Sequence, residues 1–230
     1  EVFTPMKFSP YSIQTPLYAA MTCPQSCILE EDDTGILLSD RKTGIWILDT
    51  EDTGQAALWL DRHRQPGMNV LVLRDACCSA FEDMTDWEIK RGFLQAVWTG
   101  DHPGIPAVHL EQAELADVQF LKEHCPLFSE QELLNAMAEN RLYAGFDSRQ
   151  CIGYCGISQA GRMNLLFIPE CSRRQGHGLA LEAALIGHLM DNGIIPYAHI
   201  PESNLAAVSL QQKLGMVICP EEICWLKHAG

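Results

Sequence analysis

Residues 162–180 read RMNLLFIPECSRRQGHGLA, and this stretch decides how the rest of the chain is interpreted. Its apolar part, 163–168, is short and rich in bulky side chains, which is typical of a buried strand. The pattern Arg173-x-x-Gly176-x-Gly178 follows and leads into an apolar-periodic segment that predicts a helix. This order places free backbone N–H groups at one helix start, where phosphate oxygens are favoured. We therefore expect a phosphate-bearing cofactor at residues 173–179.

The loop alone leaves an ordinary strand-to-helix turn open as the alternative, because short glycine patterns recur by chance. It lacks the Gly-x-Gly-x-x-Gly of a dinucleotide-binding fold and the Gly-Lys-Ser/Thr of a P-loop. A second motif further along the chain is needed to decide between the two.

Composition describes a soluble globular protein: 230 residues, 47% hydrophobic and 20% charged, enough for one large domain or two of ordinary size. The net charge of −14 argues against nucleic acid or a membrane surface as a partner. A polyanionic cofactor therefore needs a local positive site. The basic residues around the opening stretch that could form it are Arg162, Arg173, Arg174 and Lys213.

The chain has no apolar run long enough to cross a bilayer, and its first residues lack the basic and apolar regions of a signal peptide. We therefore expect a cytoplasmic protein. Its ten cysteines include no Cys-x-x-Cys pair, so we expect no metal site. Without a secretory context we also expect no disulfide framework.

Alternating patterns predict an α/β protein with a mixed sheet. The Gly- and Pro-rich residues 99–106 predict a boundary between an N-terminal α/β half-domain, 1–105, and a second domain, 106–230. In the first half we predict helices at 17–21, from an N-cap within 49–53 through about 64, and within 83–97, with strands at 27–30, 35–39, 44–48 and 69–73. In the second half we predict helices at 113–124, 129–140, 179–191 and 204–214, with strands at 107–110, 142–146, 152–158, 162–168, 195–200, 217–219 and 223–227.

The second motif is Asn204-x-x-Ala207-x-x-Leu210-x-x-Lys213-Leu214-Gly215-Met216. Together with the Arg173 loop, and with matching strand order and spacing, it resembles the GNAT superfamily of acyl-CoA-dependent N-acyltransferases. The resemblance covers roughly residues 107–228. It implies a GNAT-type mixed sheet flanked by helices.

The resemblance also implies acetyl-CoA (coenzyme A) as cofactor and an amine that attacks the thioester directly, with backbone donors stabilising the oxyanion. The loop would hold the pyrophosphate, and the strand end and the next helix would contact the pantetheine arm. The residues implied are Phe167, Ile168, Arg173, Arg174, Gln175, Gly176, His177, Gly178, Leu179, Asn204 and Ala207. His177, between two glycines, is expected to be a spacer facing solvent.

The sequence departs from the family pattern at two positions. Pro169 comes one residue early, so Glu170 takes its usual place. Gln211 stands where the family often has the Tyr that protonates the leaving thiolate, and a neutral amide cannot be a general acid. The leading hypothesis is an N-acetyltransferase acting on a small or amino-acid-like amine. The alternative is a catalytically silent acyl-CoA-binding or interaction protein.

The general base is not identified by any motif. The candidates at or near strand ends are Glu170, His199, Glu202 and Tyr143. For each of them a surface or packing role is the stronger interpretation. A water molecule could also relay the proton.

The first half resembles a reduced version of the second in its order of elements, without the basic loop or the Asn motif. Some GNAT proteins, the glycine N-acyltransferase-like group among them, have such a degenerate N-terminal half. We expect that arrangement here, with an unrelated α/β cap as the alternative.

Overall fold

The computed structural model describes residues 9–104, 108–148 and 150–229. The predicted boundary between 105 and 106, the start of the strand predicted at 107–110 and Arg149 lie outside these residues. Within the described part, the chain forms two compact units that are discontinuous in sequence. Of the described residues, the first unit contains 9–97, 200–205 and 218–229, and the second contains 98–104, 108–148, 150–199 and 206–217. The division into 1–105 and 106–230 stays a prediction.

The fold is α/β with mixed strand directions, as predicted. The helices are α1 (Thr15–Met21), α2 (Thr53–His63), α3 (Leu115–His124), α4 (Glu130–Ala138), α5 (His177–Asp191) and α6 (Leu205–Leu214). The strands are β1 (Ser26–Asp32), β2 (Gly35–Asp40), β3 (Ile45–Thr50), β4 (Asn69–Val72), β5 (Trp87–Val97), β6 (His109–Gln112), β7 (Leu142–Asp147), β8 (Gln150–Ile157), β9 (Met163–Phe167), β10 (Tyr197–Pro201) and β11 (Val217–His228). Short 3₁₀ turns lie at Asp75–Phe81 and Glu170–Ser172. Among the described residues, none of the helices has the length and apolar character that crossing a bilayer requires.

In the first unit the strand order is β1-β2-β3-β4-β11-β5. β1 to β3 form an antiparallel meander, and β4 runs parallel to β3 after the crossover through α2. β11 pairs antiparallel with β4. Trp59 and Leu60 of α2 are buried against Leu37 and Leu48 of the sheet. These contacts belong to the hydrophobic core of this unit.

The second unit repeats this order. β7, β8 and β9 form an antiparallel meander, and β10 runs parallel to β9 after the crossover through α5. Alternate residues of a strand face opposite sides of a sheet. Tyr154 of β8 packs with α3 and α4 on one face, and Gly153 lies against Leu181 of α5 on the other. Helices therefore cover both faces of this meander.

The helix predicted within 83–97 is wrong, because these residues form strand β5. Gly92 has φ +74°, a left-handed conformation that an α-helix interior cannot contain. Its carbonyl accepts a hydrogen bond from the Glu202 N–H at 2.8 Å instead of from a residue of its own turn. The alternation of charged and apolar residues at the start of the segment is therefore a strand pattern.

The end of the chain also differs from the prediction. The two strands predicted at 217–219 and 223–227 are one strand of 12 residues, β11, with Pro220 exposed within it. β11 brings Cys224 against Cys78, and the two cysteines form a disulfide over a sequence separation of 146. This single pair is not a disulfide framework, and the return of β11 beside β4 that brings it together is not visible in the local sequence.

Candidate cofactor cleft

The cleft forms where β9 ends and α5 begins. Gly176 is the N-cap of α5 with φ +86°, and no side chain caps the helix start. Glycine tolerates this left-handed conformation without strain, whereas Arg174, with φ 59°, adopts it at some cost. The helix starts at His177, two residues earlier than predicted. Because the turn is tight, the loop backbone and the first helical turn border the same space.

That space is a cavity of about 320 Å³. It is lined by the end of β9, the loop, the first residues of α5 and one side chain of α6. The lining residues are Leu166, Phe167, Ile168, Ser172, Arg173, Arg174, Gly176, His177, Gly178 and Leu210. None of these is acidic, and the first turn of α5 carries no acidic residue either. The cleft is therefore locally positive in a chain of strongly negative net charge.

The backbone at the helix start fits a phosphate group. The first intrahelical hydrogen bond runs from Ala180 N–H to Gly176 C=O at 3.1 Å, so the three preceding N–H groups, at 177–179, have no partner within the helix. A Cβ added at Gly178 would lie 3.9 Å from side-chain atoms of Leu166, Ile168 and Leu210, all of which line the cavity. Any larger side chain at this position would therefore occupy the cleft.

Hydrogen bonds within the loop fix its shape. Arg173 Nε donates to the Ile168 carbonyl at 2.9 Å, and Gln175 Nε2 donates to the Cys171 carbonyl at 3.0 Å. His177 Nδ1 lies 3.1 Å from the Ser172 carbonyl, and because a carbonyl only accepts, Nδ1 carries the hydrogen. The expectation that His177 faces solvent as a spacer is wrong, since its ring is half-buried and holds the loop.

Seven of the predicted cofactor residues meet at this cavity: Phe167, Ile168, Arg173, Arg174, Gly176, His177 and Gly178. Four others do not line it: Gln175, Leu179, Asn204 and Ala207. The sequence interpretation missed Leu166, Ser172 and Leu210. Leu210 was part of the second motif, so its position there was the available signal. Arg162 and Lys213, expected to add positive charge, are not among the lining residues either.

Arg162 instead pairs with His199, one of the candidate bases. Arg162 Nη1 lies 2.9 Å from His199 Nδ1, and because a guanidinium only donates, Nδ1 must accept. Burial, followed by the Arg162 charge, holds the pKa of His199 well below its usual value. Its Nδ1 lone pair is therefore committed, and the ring stays neutral.

The remaining base candidates are not gathered at the cleft. Tyr143 is buried on β7, where its hydroxyl donates to the Asn140 carbonyl at 2.7 Å and burial raises its pKa. Glu170 is exposed at the start of the 3₁₀ turn after β9. Glu202 is exposed and belongs to the first unit. None of the three lines the cavity.

Gln211, the residue in place of the family Tyr, is turned into the protein interior. It is 3% exposed, and its Nε2 lies 2.9 Å from both carboxylate oxygens of Glu182 on α5. Burial raises the pKa of Glu182 to about 7, against the opposing effect of the Gln211 hydrogen bond. The sequence interpretation missed Glu182, which sits within the apolar pattern of a helix.

One group of potential metal ligands occurs among the described residues, formed by Asp75, Cys78 and Cys224. Arg91 Nε binds Asp75 at 2.9 Å, and the two sulfurs are bonded to each other. Both cysteines are fully buried. These three side chains are therefore already committed to other partners.

Comparison with known proteins places the cleft within a recognised segment. Residues 142–226 match the family model described as FR47-like protein. No curated protein matches the chain significantly.

Solved structures resemble nearly the whole chain. A Drosophila protein has a TM-score of 0.61 at 15% identity, over 85% of this chain and 74% of its own. An acetyltransferase of the GNAT family from Colwellia psychrerythraea has a TM-score of 0.55 at 13% identity, over 96% and 98%. A GCN5-related N-acetyltransferase from Kribbella flavida has a TM-score of 0.54 at 12% identity, over 95% and 94%. The chain therefore has a GNAT-type fold, and the cleft between β9 and α5 lies inside the segment that matches the FR47-like model.

Proposed function

We propose that the protein is an N-acetyltransferase that moves an acetyl group from acetyl-CoA to the amine of a small-molecule or amino-acid-like acceptor. The observation that carries this proposal is the cleft of the second unit. It combines an uncapped helix start, two arginines and a glycine whose missing side chain leaves the space open. These are the features that bind a pyrophosphate.

Different residues of the cleft would bind different parts of the cofactor. The N–H groups of residues 177–179 would donate to phosphate oxygens, and Arg173 and Arg174 would neutralise their charge. The β9 end at Phe167 and Ile168 would contact the pantetheine arm, with Leu166 and Leu210 supplying apolar surface. Arg173 Nε donates to the Ile168 carbonyl, so this arginine links the loop that would bind the pyrophosphate to the strand end that would contact the pantetheine arm.

Coenzyme A would supply the activated acyl group as a thioester, which an amine attacks. Gln211 cannot protonate the leaving thiolate, because an amide has no titratable proton near neutral pH. A thiol with a parent pKa of about 8.5 leaves as a thiolate without that help. The absence of the family Tyr therefore does not oppose acyl transfer in principle.

We also propose that the first unit is a degenerate GNAT-like half. Its support is the repeated order of a meander, a crossover helix and a parallel strand. The segment between β3 and α2 is Glu51-Asp52, so the basic loop of the second unit has no counterpart there.

Titration calorimetry with acetyl-CoA tests the cofactor assignment. We expect saturable binding to a single site at micromolar concentration, and no heat of binding at high micromolar concentration would contradict the proposal. A thiol-release assay over a panel of amines then tests the reaction. Release of CoA that depends on one class of amine supports an N-acetyltransferase, whereas binding without release on any acceptor supports the silent acyl-CoA-binding alternative.

A further inference from the structure

The contact between α5 and α6 contains a buried polar pair. Glu182 is 6% exposed and Gln211 is 3% exposed, and Gln211 is the buried residue of α6. Gln211 Nε2 lies 2.9 Å from each Glu182 oxygen. An amide is therefore the most deeply buried side chain of α6.

The other end of the amide is unsatisfied. Gln211 Oε1 is buried and has no hydrogen-bond partner. An ionised Glu182 cannot help, because a carboxylate only accepts. A protonated Glu182 has an O–H to donate. A carboxylic acid facing an amide can form two hydrogen bonds at once: O–H to the amide oxygen, and amide N–H to the acid carbonyl.

We propose that Glu182 and Gln211 form a neutral acid–amide pair, with a proton held between them, that clamps α5 to α6 behind the cofactor cleft. Protonation of Glu182 would give the orphaned Gln211 Oε1 a donor, which the ionised carboxylate cannot supply. A buried polar atom without a partner costs about 1–3 kcal/mol, so the neutral pair is the arrangement that burial favours.

The surroundings support a proton at this place. Burial raises the pKa of Glu182 to about 7. Cys155, fully buried on β8 against α5, has its own thiol pKa raised chiefly by burial, so it stays neutral. His109 and Glu111 of β6 pair with each other and are largely exposed, and Lys213 of α6 is exposed. Strand β9 carries no ionisable side chain. None of these groups supplies a cation that would favour the ionised acid.

The clamp is one helical turn from the cleft. Gly178 and Glu182 are four residues apart and therefore lie on the same side of α5. A Cβ at Gly178 would meet Leu210 at 3.9 Å, and Glu182 meets the next residue of α6, Gln211. Gly178 and Leu210 both line the cavity. The acid–amide pair therefore sets the spacing of two cleft walls, a consequence that rests on the proposed function.

The sign of the pH dependence follows from the raised pKa. In the folded state Glu182 titrates near 7, and in the unfolded chain near its ordinary value of 4.5. Between these values the folded state holds more protons, so stability falls as the pH rises through this window. One proton corresponds to at most about a tenfold fall in the folding constant per pH unit.

Glu182→Gln separates this clamp from an ordinary buried contact. Its amide can donate to Gln211 Oε1 and accept from Nε2, as the protonated acid does, but it cannot ionise. We expect the folding constant of the wild type, from urea unfolding, to fall relative to that of E182Q by up to about tenfold per pH unit between pH 5 and 7. Glu123→Gln, an exposed change of the same charge on α3, is the control and should follow the wild type.

Three readouts decide the proposal. A protonated-carboxyl infrared band that is present at pH 6 and absent from E182Q supports it, and parallel stability curves of wild type and E182Q overturn it. Acetyl-CoA affinity should fall above pH 7 in the wild type and stay level in E182Q. Equal pH dependence in both overturns the link to the cleft. If no form binds acetyl-CoA, the proposed function fails, and the stability and infrared results still decide the pair.

Discussion

Two clefts at the same place in a repeated topology carry opposite charge. In the second unit, the turn from β9 to α5 presents Arg173 and Arg174 beside an uncapped helix start. In the first unit, the turn from β3 to α2 borders a cavity of about 680 Å³. Its lining residues are Gln14, Asp33, Thr34, Gly35, Asp49, Glu51, Asp52, Thr53 and Arg74. A strand, a crossover helix and a parallel strand therefore do not by themselves make an anion site.

The helix starts show how the two differ. Asp52 caps α2, with its Oδ1 accepting from Gln55 N–H at 3.0 Å, so a carboxylate satisfies the helix start from within. At α5 the corresponding cap is Gly176, which offers no side chain. Among the described residues that line the first cavity, Arg74 is the one basic residue, and its Nε is bound to Asp49 at 2.9 Å. In the first unit, the side chains of Asp52 and Asp49 therefore bind the helix start and the arginine that the second unit leaves for a ligand.

Reversing the charge of the second cleft should have the largest effect. Arg173→Glu with Arg174→Glu removes two charge-assisted contacts, each worth about 1.5–3 kcal/mol, and adds repulsion. We expect acetyl-CoA affinity to fall at least about a hundredfold in calorimetry. Arg41→Glu with Lys42→Glu makes the same charge change in an exposed turn and serves as the control. Equal losses in both double variants would mean that net charge, and not the cleft, governs binding.

Breaking the ion pair of the first cleft should affect stability and leave binding unchanged. Arg74→Met leaves the buried Asp49 carboxylate with Gln14 as its remaining partner, whose Nε2 lies 2.6 Å away. We expect a loss of about 2 kcal/mol in urea unfolding, less than for a fully buried pair because Arg74 is 28% exposed. Arg62→Met removes an exposed partner of Glu30, which keeps His63 at 2.7 Å, and should therefore lower stability less than Arg74→Met does. A weakened acetyl-CoA affinity in R74M would contradict the separation of the two clefts.

Filling the second cleft should weaken binding without unfolding the chain. A valine at 178 places its side chain among Leu166, Ile168 and Leu210, inside the cavity. We expect Gly178→Val to lower acetyl-CoA affinity about tenfold or more, equivalent to about 1.4 kcal/mol. Gly54 is the second residue of α2, as Gly178 is of α5, so Gly54→Val is the matched control. The comparison fails if G54V and G178V reduce affinity alike.

Removing the internal cap of the first unit should have the smallest effect. Asp52→Ala leaves the start of α2 without its acceptor, and such losses cost about 1 kcal/mol. Urea unfolding should show this loss while calorimetry shows an unchanged affinity for acetyl-CoA. An unchanged unfolding midpoint would mean that the Asp52 cap does not stabilise this helix.

Local patterns could be predicted from the sequence, and contacts between distant segments could not. The strand, loop and helix at 162–180 follow from an apolar run and two glycines that are adjacent in the chain. The helix predicted at 129–140 is confirmed as α4, and its capping box, in which Ser129 accepts from the Glu132 N–H and Glu132 accepts from the Ser129 N–H, is equally local. Strand β5 was missed because the feature that excludes a helix there is the positive φ of Gly92. The sequence shows a glycine but does not show whether its φ is positive.

The parts of the site that were missed depend on packing. Leu210 reaches the cleft only because α6 lies against the first turn of α5. Gln211 was visible as a departure from the family pattern, but its partner Glu182 is 29 residues away on another helix. A glutamate in an apolar helical pattern usually faces solvent, and nothing in the local sequence marks this one as buried.

Backbone hydrogen exchange with and without acetyl-CoA tests the central claim most directly. We predict that acetyl-CoA slows exchange of the amides at residues 177–179, at the start of α5, and leaves those at 53–55, at the start of α2, unchanged. Slower exchange at 53–55, or unchanged exchange at 177–179 under saturating acetyl-CoA, would contradict the assignment of the cofactor to the cleft of the second unit.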